Sequence, residues 1–273
     1  MFLNDIIIYP IKSLAGVRLN EAKVEPRGLK YDRRYMLVDE NNRFITARKF
    51  PELLMFTISM EENSFKIKDR ESGDSLNIPL EYQGKGPLVK VTVWDDTVDA
   101  VICDEDWGSW LSERVGIDCK LVYMPDSSER PIGQNWSINN EIVSFADGYP
   151  LLVIGSESVH NLNEKIGTPM SVDRFRGNLI FSGGEAYDEF RWKDFVIGEN
   201  RFRGLKPCVR CVLTTIDPVT GEKGKEPFTA LATQKVDGKV VFGQHAVAVD
   251  FGEIKVGDDI KVNSYKDSPY DPL

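Results

Sequence analysis

The sequence predicts a mostly β protein with a few helices, an α+β chain built around barrel- or sandwich-like sheets. Three observations carry this expectation. Short runs of apolar and β-branched residues recur at regular spacing between Asn, Asp and Gly turn signals, as antiparallel strands require. Few stretches keep the helical period of an amphipathic helix. The chain has 273 residues, 41% of them hydrophobic, enough to bury one large core or two smaller ones.

The elements follow in order. Met1 to Pro10 reads as a strand and lacks the basic start of a signal peptide. Tyr35 to Val38 and Phe44 to Ala47 flank the polar turn Asp39-Glu40-Asn41-Asn42 as a hairpin. Leu53 to Met60 and Phe65 to Lys68 form a second hairpin, and Val89 to Val93 with Val98 to Cys103 a third. Trp107, Trp110, Leu111 and Val115 share a helical face, capped by Glu105 or Asp106 and stopped at Gly116. Met124 to Pro131 is polar and Pro-bounded, the most linker-like stretch. The apolar strand Leu151 to Ile154 leads into a helix from about Glu157 to Ile166, with Ser156 as N-cap and Gly167 as stop. Strands resume at Asn178 to Phe181, Phe195 to Ile197 and Val212 to Ile216, before the turn Asp217 to Gly221. Asp237-Gly238 joins Ala230–Val236 to Lys239–Phe242 as a final hairpin. The last ten residues read as a loose tail, and no internal repeat is visible.

Composition narrows the function classes. Against 34 Lys+Arg stand 43 Asp+Glu, a formal charge of −9, so a general nucleic-acid binder is not expected. No apolar run approaches the roughly 20 residues needed to span a bilayer, which argues against a membrane partner. Four cysteines are too few for a disulfide scaffold in a chain this long, and a reducing, cytoplasmic setting is expected.

Cys208-Val209-Arg210-Cys211 is the first chemical feature. Structural zinc wants four paired ligands, and Cys103, Cys119, His160 and His245 are scattered. A thioredoxin-like dithiol opens a helix, whereas Val212 to Ile216 reads as a continuing strand. Two buried structural cysteines remain possible on spacing alone. The last reading is a thiolate ligand or nucleophile, favoured by the flanking Lys206 and Arg210 and suited to a soft transition metal. The second feature is local cations in an acidic chain: Lys12, Arg33-Arg34, Arg174, Arg176, Arg201 and Arg203. Singly these read as solvated charges; together, Arg forks and a Lys point charge suit a phosphate monoester. His245 reads as structural or surface. No GxSxG, P-loop or HExxH pattern occurs, and Gly183-Gly184 is a lone turn signal.

At this point an ordered set of motifs comes together. Tyr9-Pro10-Ile11-Lys12-Ser13, Gly28-Leu29, Asp32-Arg33-Arg34-Tyr35 and Thr46-Ala47-Arg48 resemble the N-terminal β-barrel region of MOSC proteins (molybdenum cofactor sulfurase C-terminal). Phe145 to Pro150, Phe175-Arg176-Gly177-Asn178, Cys208 to Cys211, Thr214 to Gly221, Phe242-Gly243-Gln244 and Ile254 to Asp258 resemble the MOSC domain itself. The likeness runs from about Leu3 to Val262 and is strongest to the amidoxime-reducing component and its bacterial homologues.

The resemblance implies a domain plan of 1–122, 123–265 and a tail over 266–273. It implies a molybdenum–pyranopterin cofactor with Cys211 as the metal ligand and Cys208 as its neighbour. Lys12, Ser13, Arg33, Arg176, Asn178 and Arg210 match cofactor contacts, and Asp147 matches a position near the metal, where it could serve as a proton donor. Pyridoxal phosphate binding is a further family-level label. The implied activity is two-electron reduction of amidoximes, hydroxylamines and N-hydroxylated bases, with Cys211 and Asp147 catalytic. The alternatives are a cofactor carrier or a sulfur-handling module with a persulfide on Cys211. Three departures stand out. Gly177 replaces a frequent Pro, and Val209 replaces a hydrogen-bonding residue. Neither a cysteine-rich ferredoxin-like domain nor a membrane anchor is seen. No dinucleotide fingerprint is present either, so electrons are expected from a separate flavin, iron–sulfur or haem protein.

Overall fold

In the computed structural model, which describes residues 1–84 and 86–271, strands dominate and form four sheets. The largest has eight strands, in the order Ile260–Tyr265, Trp192–Ile197, Asn200–Val209, Val241–Ala248, Leu151–Gly155, Leu179–Ser182, Phe2–Ile8 and Val17–Leu19. All its neighbours are antiparallel except Leu151–Gly155 with Leu179–Ser182. That parallel pair needs a crossover, and the helix Ser156–Ile166 supplies it. The four-stranded sheet runs Tyr35–Val38, Lys120–Tyr123, Asp96–Ile102, Leu88–Val93. Phe56–Met60, Ser64–Asp69 and Ser75–Pro79 make one small sheet; Glu253–Lys255, Glu21–Glu25 and Gly28–Leu29 make the other.

Period-two patterning explains the strands well. In Ser64–Asp69, Phe65 and Ile67 point inward while Lys66 and Lys68 face water. The two longer helices, Glu105–Val115 and Ser156–Ile166, end where expected, at left-handed Gly116 and Gly167. Their caps fall one or two residues earlier, on Asp104 and Gly155. No helix among the described residues is long and apolar enough to cross a membrane.

Several expected elements differ. Val212–Thr215 is a 3-10 turn rather than a strand. Thr214 and Thr215 turn their hydroxyls back onto the Cys211 and Val212 carbonyls, offering the backbone an alternative to a ladder. The segment 230–236 is not a strand either: Phe228–Ala232 is helical, and the hairpin shrinks to one bridge between Val236 and Lys239. Its turn is as expected, with positive φ at Asp237 and Gly238. The stretch before Phe56 is a 3-10 helix, Pro51–Met55, begun at a proline. Phe44 to Ala47 makes single bridges only, because the chain folds onto the Thr46 carbonyl. Residues 124–131 are no loose linker, since Arg130 and Ser128 are buried and bonded to Ser144, Ala146 and Asp99 carbonyls. The tail is docked through Lys266, which is buried and donates to the Leu205 and Pro269 carbonyls. Pro272 and Leu273 of that tail lie outside the described residues.

One large core joins Leu3, Ile6 and Ile8 to Leu121 and Tyr123, and also to Leu151, Trp192 and Phe195. A second cluster, with Tyr9, Leu152, Phe175, Cys208 and Phe242, floors the cleft described next.

Candidate functional site

Six chain segments converge on an open cleft of about 890 Å³. They are the loop after Phe2–Ile8, the turn at Arg33, the bend at Thr46, residues 146–149, the turn Phe175–Asn178 and the end of Asn200–Val209. Lys12, Ser13, Arg33, Asp147, Arg176, Asn178, Arg210 and Cys211 all line it, so the residues expected from scattered motifs are brought together. Arg174, Arg201 and Arg203 stay outside, in ion pairs with Asp217, Asp250 and Asp194.

Cys211 follows the strand Asn200–Val209 and caps the 3-10 turn. The turn leaves its thiol half-exposed at the cleft. Its Sγ accepts from Arg48 Nε at 3.2 Å. Arg48 also donates to Asp147 Oδ2 at 2.7 Å and lies over the Trp94 ring. Asp147 Oδ1 accepts from Lys12 Nζ at 2.6 Å, and Lys12 reaches the Phe145 carbonyl at 2.8 Å. Burial pushes the Lys12 ammonium down to about 8 although Asp147 supports its charge. Loss of water pushes the Asp147 carboxyl up, but Lys12 and Arg48 outweigh this and hold it well below the usual carboxylate range. In this structure Asp147 is the anion that fixes Lys12 and Arg48.

The other end of the cleft is built on Tyr9. Its ring lies between the guanidiniums of Arg33 and Arg176, at 4.4 and 4.2 Å from its centroid. Arg33 is held by Asp32 at 2.5 Å, the Arg176 carbonyl and Asn178 Oδ1. Asn178 is buried, and its amide is occupied by the Ile7 carbonyl, the Leu152 N–H and Arg33. It thus positions Arg33 and the strands rather than facing the cleft with free groups. Arg176 has no carboxylate partner among the described residues, and burial lowers it to about 10. Ser13 is buried on the same wall. Arg210 donates to Cys208 Sγ at 2.9 Å and to the Phe175 carbonyl at 2.7 Å, while its Nε is buried without a partner.

Sequence reasoning left Arg48, Trp94 and His245 without a role. Arg48 was visible inside the Thr46-Ala47-Arg48 motif, but only the bend at Thr46 aims it at Cys211. His245 enters the cleft because it pairs with Leu152 in the central sheet.

The lining carries five cations, Lys12, Arg33, Arg48, Arg176 and Arg210, against one carboxylate, Asp147. In a chain of charge −9 this is a local anion site. No group of three or more His, Cys, Asp or Glu that could hold a metal occurs among the described residues. The half-exposed Cys211 thiol, the Arg176 guanidinium without a carboxylate and the orphaned Arg210 Nε fit a metal carried by an anionic organic cofactor and anchored by a protein thiolate.

Residues 1–118 match the MOSC N-terminal beta barrel domain and residues 140–261 the MOSC domain. The chain is 30% identical to mitochondrial amidoxime-reducing component 1 of Mus musculus, over 93% of this chain and 79% of that protein. It is 26% identical to the Homo sapiens protein of the same name, over 93% and 80%. It is also 28% identical to molybdenum cofactor sulfurase of Bombyx mori, over 97% of this chain but 34% of that longer protein. Among solved structures, the YuaD protein of Bacillus subtilis aligns over 95% of this chain and 93% of that one, with a TM-score of 0.42 and 8% identity.

Proposed function

Because the chain belongs to the family of MOSC-domain proteins with an N-terminal MOSC β-barrel domain, we propose that it is a molybdenum-cofactor-dependent reductase of N-hydroxylated compounds, driven by a separate electron-donor protein. The observation that carries the proposal is the half-exposed Cys211 thiol at one end of a cation-lined cleft. When bound, the cofactor supplies two-electron reduction of the N–O bond, R–NHOH + 2e⁻ + 2H⁺ → R–NH₂ + H₂O.

The chain's own residues do the rest. Cys211 would be the protein ligand, and the Arg48 Nε–H bond orients its sulfur. Asp147 holds Lys12 and Arg48 in place. Arg33 and Arg176, stacked on Tyr9, would hold the phosphate of the cofactor together with Ser13, and Asn178 fixes the Arg33 fork. Pyridoxal phosphate is a poorer occupant, because the lysine lining the cleft is engaged by Asp147. All four cysteines are free, and a reducing cytoplasm would keep them so.

Reduced viologen should drive hydroxylamine reduction by the purified, molybdenum-loaded protein, whereas NADH or NADPH alone should not. Turnover with NADH and no second protein would overturn the dependence on an external donor. Cys211→Ser should remove molybdenum or activity, while Cys208→Ser should retain most of the metal; equal metal loss from both would indicate a two-cysteine site. The likeness to the sulfurases favours a second reading, a cofactor carrier or persulfide module. Transfer of cofactor to an apo-enzyme without any turnover would select it.

A further inference from the structure

We propose that Trp94 is a specificity-determining residue: its exposed indole, with Val209 and Val212 beside Cys211, holds the organic group of R–NHOH when that group is planar and apolar. This inference deepens the reductase reading and rests on it.

Trp94 opens the two-residue turn between Leu88–Val93 and Asp96–Ile102. Its φ is 56°, in the left-handed region where hairpin turns take Gly, Asn or Asp. A large aromatic side chain gains nothing from that backbone, and 44% of the residue remains exposed. Nevertheless its ring is fixed on several sides. It packs against Phe44, with centroids 4.9 Å apart. Its Nε1 donates to Asp147 Oδ1 at 3.3 Å, and the Arg48 guanidinium lies 4.7 Å from its centroid. The turn beneath it is clamped as well. Asp96 accepts from Arg130 Nε at 2.7 Å, and the buried Arg130 also donates to the Ala146 and Asp147 carbonyls. The hairpin tip is thereby tied to the cleft wall at 146–147 through two side chains.

Arg48 connects this platform to the chemistry. The guanidinium that lies against Trp94 belongs to the side chain that donates to Cys211 Sγ at 3.2 Å. The indole therefore stands one side chain away from the sulfur assigned to the metal. On the Cys211 side the flanking residues are apolar and exposed, Val209 at 54% and Val212 at 58%. Val209 lines the cleft, and Val212 begins the turn that Cys211 caps. Single exposed apolar residues are ordinary on a protein surface; here three flank Arg48 and Cys211. The cleft interior has the opposite character, with its five cations. This division sorts the occupants: an anionic cofactor among the cations, a neutral organic group against the apolar rim. A tryptophan already held in place offers a large contact area at little ordering cost. Its ring favours a second ring in offset or edge contact. A phenyl group meets that requirement, whereas bare hydroxylamine has nothing to place there.

The test compares phenylhydroxylamine with hydroxylamine as substrates of molybdenum-loaded protein driven by saturating reduced viologen. Trp94→Asn suits the left-handed turn and removes the ring. In it, kcat/KM for phenylhydroxylamine relative to hydroxylamine should fall about tenfold, chiefly through KM. Trp94→Phe should keep that ratio within about twofold of wild type. The ratio cancels any loss common to both substrates, such as a shifted Arg48 or weaker coupling to the donor. A ratio that is unchanged in Trp94→Asn, or that falls equally in Trp94→Phe, overturns the assignment. Without donor, calorimetric binding of phenylhydroxylamine to the loaded protein should weaken about tenfold in Trp94→Asn, and equal affinity overturns the assignment too. Loaded wild type that turns over neither substrate overturns the reductase reading, while the donor-free affinities still decide whether Trp94 holds the aromatic group.

Discussion

Ser13, Arg33 and Arg176 hold φ angles of 76°, 50° and 56°, although none is glycine. Each left-handed residue costs roughly 1–2 kcal/mol, and such strain persists where surrounding structure over-determines it. All three line the cleft, so the strain aims two guanidiniums and a hydroxyl at one occupant. Arg176 is in addition half-buried with no carboxylate partner among the described residues. Arg176→Ala should therefore change the stability of cofactor-free protein by less than about 1 kcal/mol, while weakening cofactor binding by about 2–5 kcal/mol. Urea unfolding and molybdenum content of the purified variant check this; a large stability loss with full metal content would make Arg176 a structural residue. At this scale the sequence was most legible for side chains embedded in short local motifs, such as Lys12, Arg33, Arg176 and Cys211. Arg48 and His245 were not legible as site residues, because a bend and a strand pairing aim them.

Between the motif and the site stand the elements, and here the β-branched run after Cys211 was misleading. Val, Thr and Ile favour strands, but two threonine hydroxyls closed a 3-10 turn instead. That turn leaves the Cys211 thiol accessible. The parallel strand–helix–strand unit was half visible, through Leu151 to Ile154 and the helix that follows. Its hidden part is Glu189, fully buried against the N-terminus of Ser156–Ile166, where it accepts from the Gly155 N–H and the Ser158 hydroxyl. Burial raises its carboxyl from 4.5 to about 7 despite those bonds. Between these values the folded chain binds more protons than the unfolded one, so stability falls as pH rises through that window. Glu189→Gln should flatten this dependence, gaining up to ~3 kcal/mol relative to wild type at pH 8. Urea titrations at pH 5 and 8 measure it, and an unchanged slope would show that another group controls the profile.

Across the whole molecule, the sheets do not respect the midpoint of the chain. Phe2–Ile8 pairs with Leu179–Ser182, and Glu253–Lys255 pairs with Glu21–Glu25. The abundance of strands was readable from alternation, but these long-range partners were not, since period-two patterning says which face is buried and not which strand covers it. A fragment of residues 123–271 lacks the strand that covers Leu179–Ser182, along with part of the shared core. It should show weak, broad NMR dispersion and no cooperative unfolding; a sharp transition would establish an autonomous unit. The same interleaving governs the history of the cleft. Its walls are drawn from chain positions as distant as Lys12 and His245, so the site is assembled only when segments from both ends of the chain have come together. Acquisition of the cofactor follows that assembly. Once seated, the cofactor ties together segments that unfolding has to separate, and its affinity is added to the native state alone. Resistance to proteolysis should then rise with occupancy, making the lifetime of the protein a record of cofactor supply.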